Sequence, residues 1–124
     1  MKSTRPLLAI TLGDPAGIGP EVTLKALTHA DVFAQCRPLV IGDRRILERA
    51  AGWLKRALPP VEAIDDPASG VYAPGTLPLL DLHNADPAEI AVGQVAAAAG
   101  RAAVEYVFRA CDLALAGAVD GIVT

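Results

Sequence analysis

The sequence predicts an α/β fold built on a largely parallel sheet, and three observations carry that expectation. Short apolar runs alternate with helix-like runs along the 124 residues, the pattern of strand–helix–strand crossovers. The composition is 52% hydrophobic but only 4% aromatic, so Ala, Leu and Val must supply the core, as when helices pack on aliphatic strands. The chain is also long enough to bury one core without disulfides or metals.

Residues 6–12, "PLLAITL", are rich in strand formers and read as a buried strand. A Gly/Pro loop follows, then a helix from Pro20 to about Thr28. Pro20 suits a first helical position, where its missing N–H would be unpaired anyway, and Val22, Leu24 and Leu27 form a partial stripe. Residues 39–42, "LVIG", read as a second strand. Asp43 is expected to cap a helix over residues 44–58, with Ile46, Leu47, Ala50, Ala51 and Leu54 on one face. Gly52 weakens that helix, and Pro59 and Pro60 stop it.

Residues 61–64 form a candidate short strand before a loop that runs to Gly75. Residues 76–82, "TLPLLDL", are expected to be a strand, and Pro78 suggests an edge position because it cannot donate to a ladder. After a polar connection comes the longest periodic segment, Gln94 to about Ala116. Its Ala-rich composition, with Val95, Ala98, Ala102 and Glu105, predicts a helix despite Gly100. Gly117 closes it, and "GIVT" (residues 121–124) has the pattern of a buried strand.

Charge and cysteine usage exclude several function classes. A net charge of −3 argues against nucleic acid or an anionic membrane as the main partner, since both need a clustered basic face. No apolar stretch of about 20 residues is present to span a bilayer. The basic-then-apolar start is cut short by Gly13, Asp14 and Pro15 without a small-residue cleavage pattern, unlike a signal peptide. Cys36 and Cys111 lie in no CxxC or Cys/His cluster and read as reduced structural thiols of a cytoplasmic protein. His29, at a helix end, and His83, in a polar loop, read as surface residues with no second metal ligand spaced nearby.

The loop over residues 13–20 concentrates backbone punctuation, with three glycines and two prolines in eight residues. It follows a strand and opens a helix, where outward N–H groups and the helix dipole favour an anion. Glycine also lets the backbone approach a ligand closely. The spacing of Gly13, Gly17 and Gly19 is neither G-x-G-x-x-G nor a P-loop. An ordinary tight turn, with Asp14 and Glu21 only holding the turn and capping the helix, is the competing reading.

The wording of the loop is more specific than its spacing. "GDPAGIGPE" (residues 13–21) resembles the N-terminal signature of the 4-hydroxythreonine-4-phosphate dehydrogenase family, and is similar to the "GDGIGPE" loop of isopropylmalate and isocitrate dehydrogenases. "GQVAAAAGRAAVEYVFRACDLALAGAVDGIVT" (residues 93–124) is similar to the long helix and following strand of the same family. Residues 43–90 match in pattern only. The resemblance implies a three-layer α/β/α fold, with residues 1–124 as the N-terminal part of a two-domain, homodimeric enzyme whose active site lies between the domains.

It further implies an NAD (or NADP) cofactor and a divalent metal such as Zn, Mg or Co. The metal would polarise the alcohol and then the ketone oxygen as a Lewis acid. The substrate class is a small phosphorylated hydroxy acid, in first place 4-phosphohydroxy-L-threonine on the route to pyridoxal phosphate. The D-threonate or D-erythronate 4-phosphate and cis-dihydrodiol enzymes of the family are alternatives. By analogy with the "GDGIGPE" enzymes, Asp14, Gly17, Ile18 and Gly19 would lie near the cofactor or the interdomain cleft. The family's metal-binding histidines and most phosphate contacts lie downstream of Thr124. No catalytic residue and no metal ligand is therefore assigned within residues 1–124, and this chain alone is expected to show no dehydrogenase activity. A reading of another class is a small flavodoxin-like binding module without catalysis.

Overall fold

The computed structural model describes residues 5–124. Its elements run β1 (Leu7–Thr11), α1 (Gly19–Ala26), α2 (Ala30–Gln35), β2 (Arg37–Gly42), α3 (Arg44–Trp53), β3 (Val61–Ala63), β4 (Leu77–Asp81), α4 (Ala97–Leu115) and β5 (Gly121–Val123), with short 3-10 turns at Pro67–Ser69 and Pro87–Glu89. The five strands form one sheet in the order β3-β4-β2-β1-β5. Every pairing is parallel, for example Ala9 opposite Leu39 and Ile122.

That order generates the layers. The chain moves from β1 to β2 and on to β3 in one direction, then returns from β4 to β5 in the other. Right-handed crossovers put helices from opposite directions of travel on opposite faces. α1 and α3 accordingly pack on each other, while α4 packs on β1, β2 and β5. The result is the three-layer α/β/α arrangement, with Ala9, Leu39, Val40, Ile41, Leu77 and Leu79 at its centre. A flavodoxin-like order would set β1 between β2 and β3. Here β1 lies between β2 and β5, so the binding-module reading does not describe this sheet.

Several local expectations are corrected. β4 is not an edge strand: it is flanked by β2 and β3. Pro78 is tolerated because the Leu77 N–H donates to Pro60 O (2.9 Å) on the β3 side, while the β2 ladder begins only at Leu79. The ladder bond that proline cannot make is one this strand does not use. α3 stops at Trp53, well before Pro59, because Lys55 turns into the left-handed region (φ 53°) and Arg56 N–H donates back to Ala51 O. On α1 the buried positions are Pro20, Thr23, Leu24 and Leu27, at i, i+3, i+4 and i+7, whereas Val22 faces out.

α4 begins at Ala97 rather than Gln94, and Val95 is fully exposed. Its buried stripe is Ala99, Ala102, Tyr106 and Ala110, one position round from Ala98 and Glu105. Gly117, at φ 75°, closes the helix as expected, with Ala118 N–H donating to Leu113 O (2.8 Å). Among the described residues β5 pairs with β1 alone, and Ile122 and Val123 are exposed rather than buried. The helix α2 went unseen because six residues with a single buried anchor, Phe33, offer no periodicity. Both cysteines are free; Cys36 is buried and Cys111 half-buried.

Candidate functional site

All five strands point the same way, so their C-terminal ends share one edge of the sheet. The chain leaves β1 for β2 on one side, and β5 takes the other side. That makes the β1/β5 edge a topological switch point, the place where open α/β sheets bind ligands. There the Thr11 hydroxyl donates to the Thr124 hydroxyl at 2.8 Å. The loop over residues 13–18 rises from the same edge.

The loop is held by its own backbone and by two distant segments. Asp14 Oδ1 accepts the Ala16 N–H (2.8 Å), and Gly17 N–H donates to Asp14 O (2.9 Å). Gly93 N–H donates to Ala16 O (2.8 Å). Arg49, on α3, donates through Nη2 to Pro15 O (3.2 Å) and through Nη1 to Pro87 O (3.1 Å) and Ile90 O (2.6 Å). Neither acid of the phrase caps α1: its N-cap is Ile18, with no side-chain cap bond. Glu21 lies in the first turn, where its charge suits the helix dipole.

The four residues expected near a cofactor divide by what the fold requires of them. Gly19 is structural, since a Cβ there would sit 2.2 Å from Leu12 O. Gly13, outside that set, has φ +78°, a conformation L side chains rarely adopt. Asp14 is exposed and holds the turn. Gly17 is different: a Cβ would meet Asp14 O at an ordinary 3.4 Å, so packing does not demand glycine. Ile18 is 72% exposed at the loop tip, an apolar side chain outside the core of the described residues. Gly17 and Ile18 are thus the two positions that the fold leaves unexplained.

Beside the loop, at the ends of β2 and β4, Asp43, Asp81 and His83 bring one ligand atom each within 4.8 Å of one another. His83 is therefore exposed as expected, yet two carboxylates lie near it, gathered by strand pairing rather than by sequence spacing. The donor set does not fit a metal. Asp43 is fully buried and its oxygens are taken: Oδ1 by Arg45 N–H (2.9 Å) and Arg45 Nε (3.2 Å), Oδ2 by Arg45 Nη2 (2.9 Å) and Ala85 N–H (2.9 Å). Asp81 Oδ1 accepts from His83 N–H (2.8 Å). A cation would have to displace the Arg45 guanidinium first.

Burial alone would raise the Asp43 pKa, but the hydrogen bonds from Arg45 and Ala85 and the guanidinium charge together hold it below the ordinary carboxylate value. Nearby, Tyr106 is buried with its hydroxyl unpaired among the described residues. Burial first, and then the charges of Asp43, Asp81 and Glu105, push that phenol far above its usual range. An unpaired buried hydroxyl costs about 1–3 kcal/mol. Tyr106→Phe is therefore expected to leave the thermal midpoint unchanged or raise it in a melting experiment. A clear loss of stability would show that the hydroxyl has a partner.

Two hollows elsewhere on the surface fit a phosphorylated ligand poorly. One, of about 240 Å³, is lined by Glu62, Asp65, Asp66 and Ser69, and its three carboxylates repel an anion. The other, about 220 Å³, is an open dish on α4 bordered by Leu82, Glu105, Phe108, Arg109 and Asp112. Sequence reasoning missed Arg49 and the second partner of Asp43. Their acceptors and donors lie 34–42 residues away, beyond any local pattern.

Comparison with known proteins agrees with this geometry. Residues 34–124 match the family model of the pyridoxal phosphate biosynthetic protein PdxA. Over 123 residues the chain is 50% identical to a Symbiobacterium thermophilum protein assigned as a D-threonate 4-phosphate dehydrogenase, covering 98% of this chain and 36% of that one. It is 40% identical to the 4-hydroxythreonine-4-phosphate dehydrogenase of Desulforapulum autotrophicum, over all of this chain and 36% of that protein. The crystal structure of a 4-hydroxythreonine-4-phosphate dehydrogenase from Burkholderia phymatum superposes with a TM-score of 0.88 at 43% identity, covering 97% of this chain and 36% of that one. The chain thus spans about a third of the length of these relatives. With the family model matching residues 34–124 and these relatives matched over nearly the whole of this chain, the chain belongs to the PdxA family.

Proposed function

We propose that residues 1–124 are the cofactor-facing N-terminal part of an NAD-dependent dehydrogenase that oxidises a secondary alcohol on a small 4-phosphorylated hydroxy acid. The observation that carries this is the loop tip at the β1/β5 edge: an exposed Ile18 beside a Gly17 that packing does not require. An apolar side chain at a ligand-binding edge offers a face to an aromatic or ribose ring, and the missing Cβ leaves the backbone approachable. NAD would supply the hydride acceptor there. The chain's own part is to hold Gly17, Ile18 and the first N–H groups of α1 in one orientation. The described residues do not fit the divalent metal the family implies, since the buried Asp43 carboxylate is already taken by Arg45 and Ala85.

Among substrates, 4-phosphohydroxy-L-threonine and D-threonate 4-phosphate share the carboxylate, the 3-hydroxyl and the phosphate, and differ at C2 in an amine against a hydroxyl. In both, oxidation at C3 gives a β-keto acid that loses CO2. One relative assigned to D-threonate 4-phosphate is 50% identical and others 38%, while two assigned to 4-hydroxythreonine 4-phosphate are 43% and 40% identical. The 50% match supports D-threonate 4-phosphate as the first substrate to test. The reading includes a homodimer in the cytoplasm, without nucleic acid or membrane as partner. No helix among the described residues is long and apolar enough to cross a membrane.

The test uses a polypeptide of the relatives' full length that contains residues 1–124. NADH formation is followed with D-threonate 4-phosphate, 4-phosphohydroxy-L-threonine and a cis-dihydrodiol, and the first should react fastest. Ile18→Ala should raise the KM for NAD about threefold to tenfold while the thermal midpoint stays put, since truncating an exposed side chain costs little stability. No turnover of either phosphorylated acid, or an Ile18→Ala variant unchanged in NAD binding, would sink the reading.

A further inference from the structure

Among the described residues, the Arg49 side chain ties the Gly/Pro loop to the segment before α4. Its guanidinium bridges Pro15 O on the loop with Pro87 O and Ile90 O on the segment before α4. The same segment reaches the loop a second time through Gly93 N–H and Ala16 O. The group is a cation, half-buried, yet among the described residues it forms no ion pair with a carboxylate. Its Nε is buried without a partner among the described residues, and its Cζ lies over the Trp53 ring, 5.2 Å from the centroid. Its donors are spent on three backbone carbonyls rather than on a carboxylate, so what it supplies here is backbone geometry rather than charge pairing. What the fork provides beyond a link is rigidity. Three carbonyls on two loops are held by one planar donor set, which a flexible ammonium cannot reproduce.

We infer that Arg49 is a positioning residue for the cofactor loop: through Pro15 it fixes the backbone that presents Gly17 and Ile18, without touching the cofactor itself. The inference rests on the reading that this loop meets NAD. Without the fork, the Gly93 N–H to Ala16 O bond is the one hydrogen bond left between the loop and the 87–93 segment among the described residues. The loop must then be ordered at the moment of binding, and that ordering is subtracted from affinity.

The test compares Arg49→Met, Arg49→Lys and Ile18→Ala in a polypeptide of the relatives' full length containing this segment. NAD dissociation constants are measured well below each variant's melting point, with amide hydrogen exchange at residues 13–19. Arg49→Met should weaken NAD binding about tenfold and speed exchange in the loop, with kcat at saturating NAD changed much less. Arg49→Lys, able to reach one or two of the carbonyls, should recover part of the loss, and carries the test if the Met variant fails to fold. If Ile18→Ala weakens NAD while both Arg49 variants only lower the melting point, the positioning role falls and the cofactor reading stands. If none of the three alters NAD binding, both fall together.

Discussion

Gly19→Ala should lower stability by about 3 kcal/mol or more, whereas Gly17→Ala, two residues earlier, should stay within about 0.5 kcal/mol of the parent. The contrast comes from what a methyl group would meet. At 19 it lies 2.2 Å from Leu12 O and 3.3 Å from Leu12 C, both backbone atoms of the turn out of β1 that cannot step aside. At 17 it meets Asp14 O and Cβ at 3.4 and 3.6 Å, ordinary contact distances. For a chain of this size the first change should shift the melting midpoint by about 10 °C. Gly17→Ala should instead show itself in NAD affinity. Equal melting shifts for the two variants would mean that the turn relaxes, and the structural role given to Gly19 would be lost.

Asp43→Asn should cost about 3 kcal/mol, because a buried acceptor of four hydrogen bonds becomes half donor. Little of this is the ion pair as such, since the Arg45 side chain is 32% exposed and its attraction is screened. Most of the loss arises where an amide NH2 faces Ala85 N–H or the Arg45 donors. The pH dependence has a definite sign. The folded pKa of Asp43 lies below its ordinary 3.8. Its contribution is therefore complete above that value and is lost as the pH falls through the lower folded pKa. Denaturation midpoints measured from neutral to acid should fall more steeply for the parent than for Asp43→Asn below about pH 4. Parallel curves would remove Asp43 from the acid response.

The capping role of Asp43 was legible, since an Asp before an amphipathic run is a local signal and its Oδ1 does accept Arg45 N–H. Its second role was not. The Ala85 N–H comes from the loop after β4, and only the β2–β4 pairing brings it there. His83 shows the same division. Its exposure could be read from a polar loop, but its closeness to Asp43 and Asp81 could not. Pro78 misled because proline reports a missing donor without saying which side of the strand has no use for one.

By itself the sequence determined the alternation of strands and helices, the glycine-rich turn between β1 and α1, and wording specific enough to identify the family. Each of these depends on residues close together in the chain, or on a phrase that local geometry constrains, such as a Gly19 pressed against Leu12 O. The tertiary structure alone decided that β4 lies inside the sheet, that β5 flanks β1, and that Arg49 grips the loop. Those outcomes depend on which strands pair and on right-handed crossovers that carry distant segments to one edge. Backbone pairing over such separations leaves no periodicity in the sequence from which to read it.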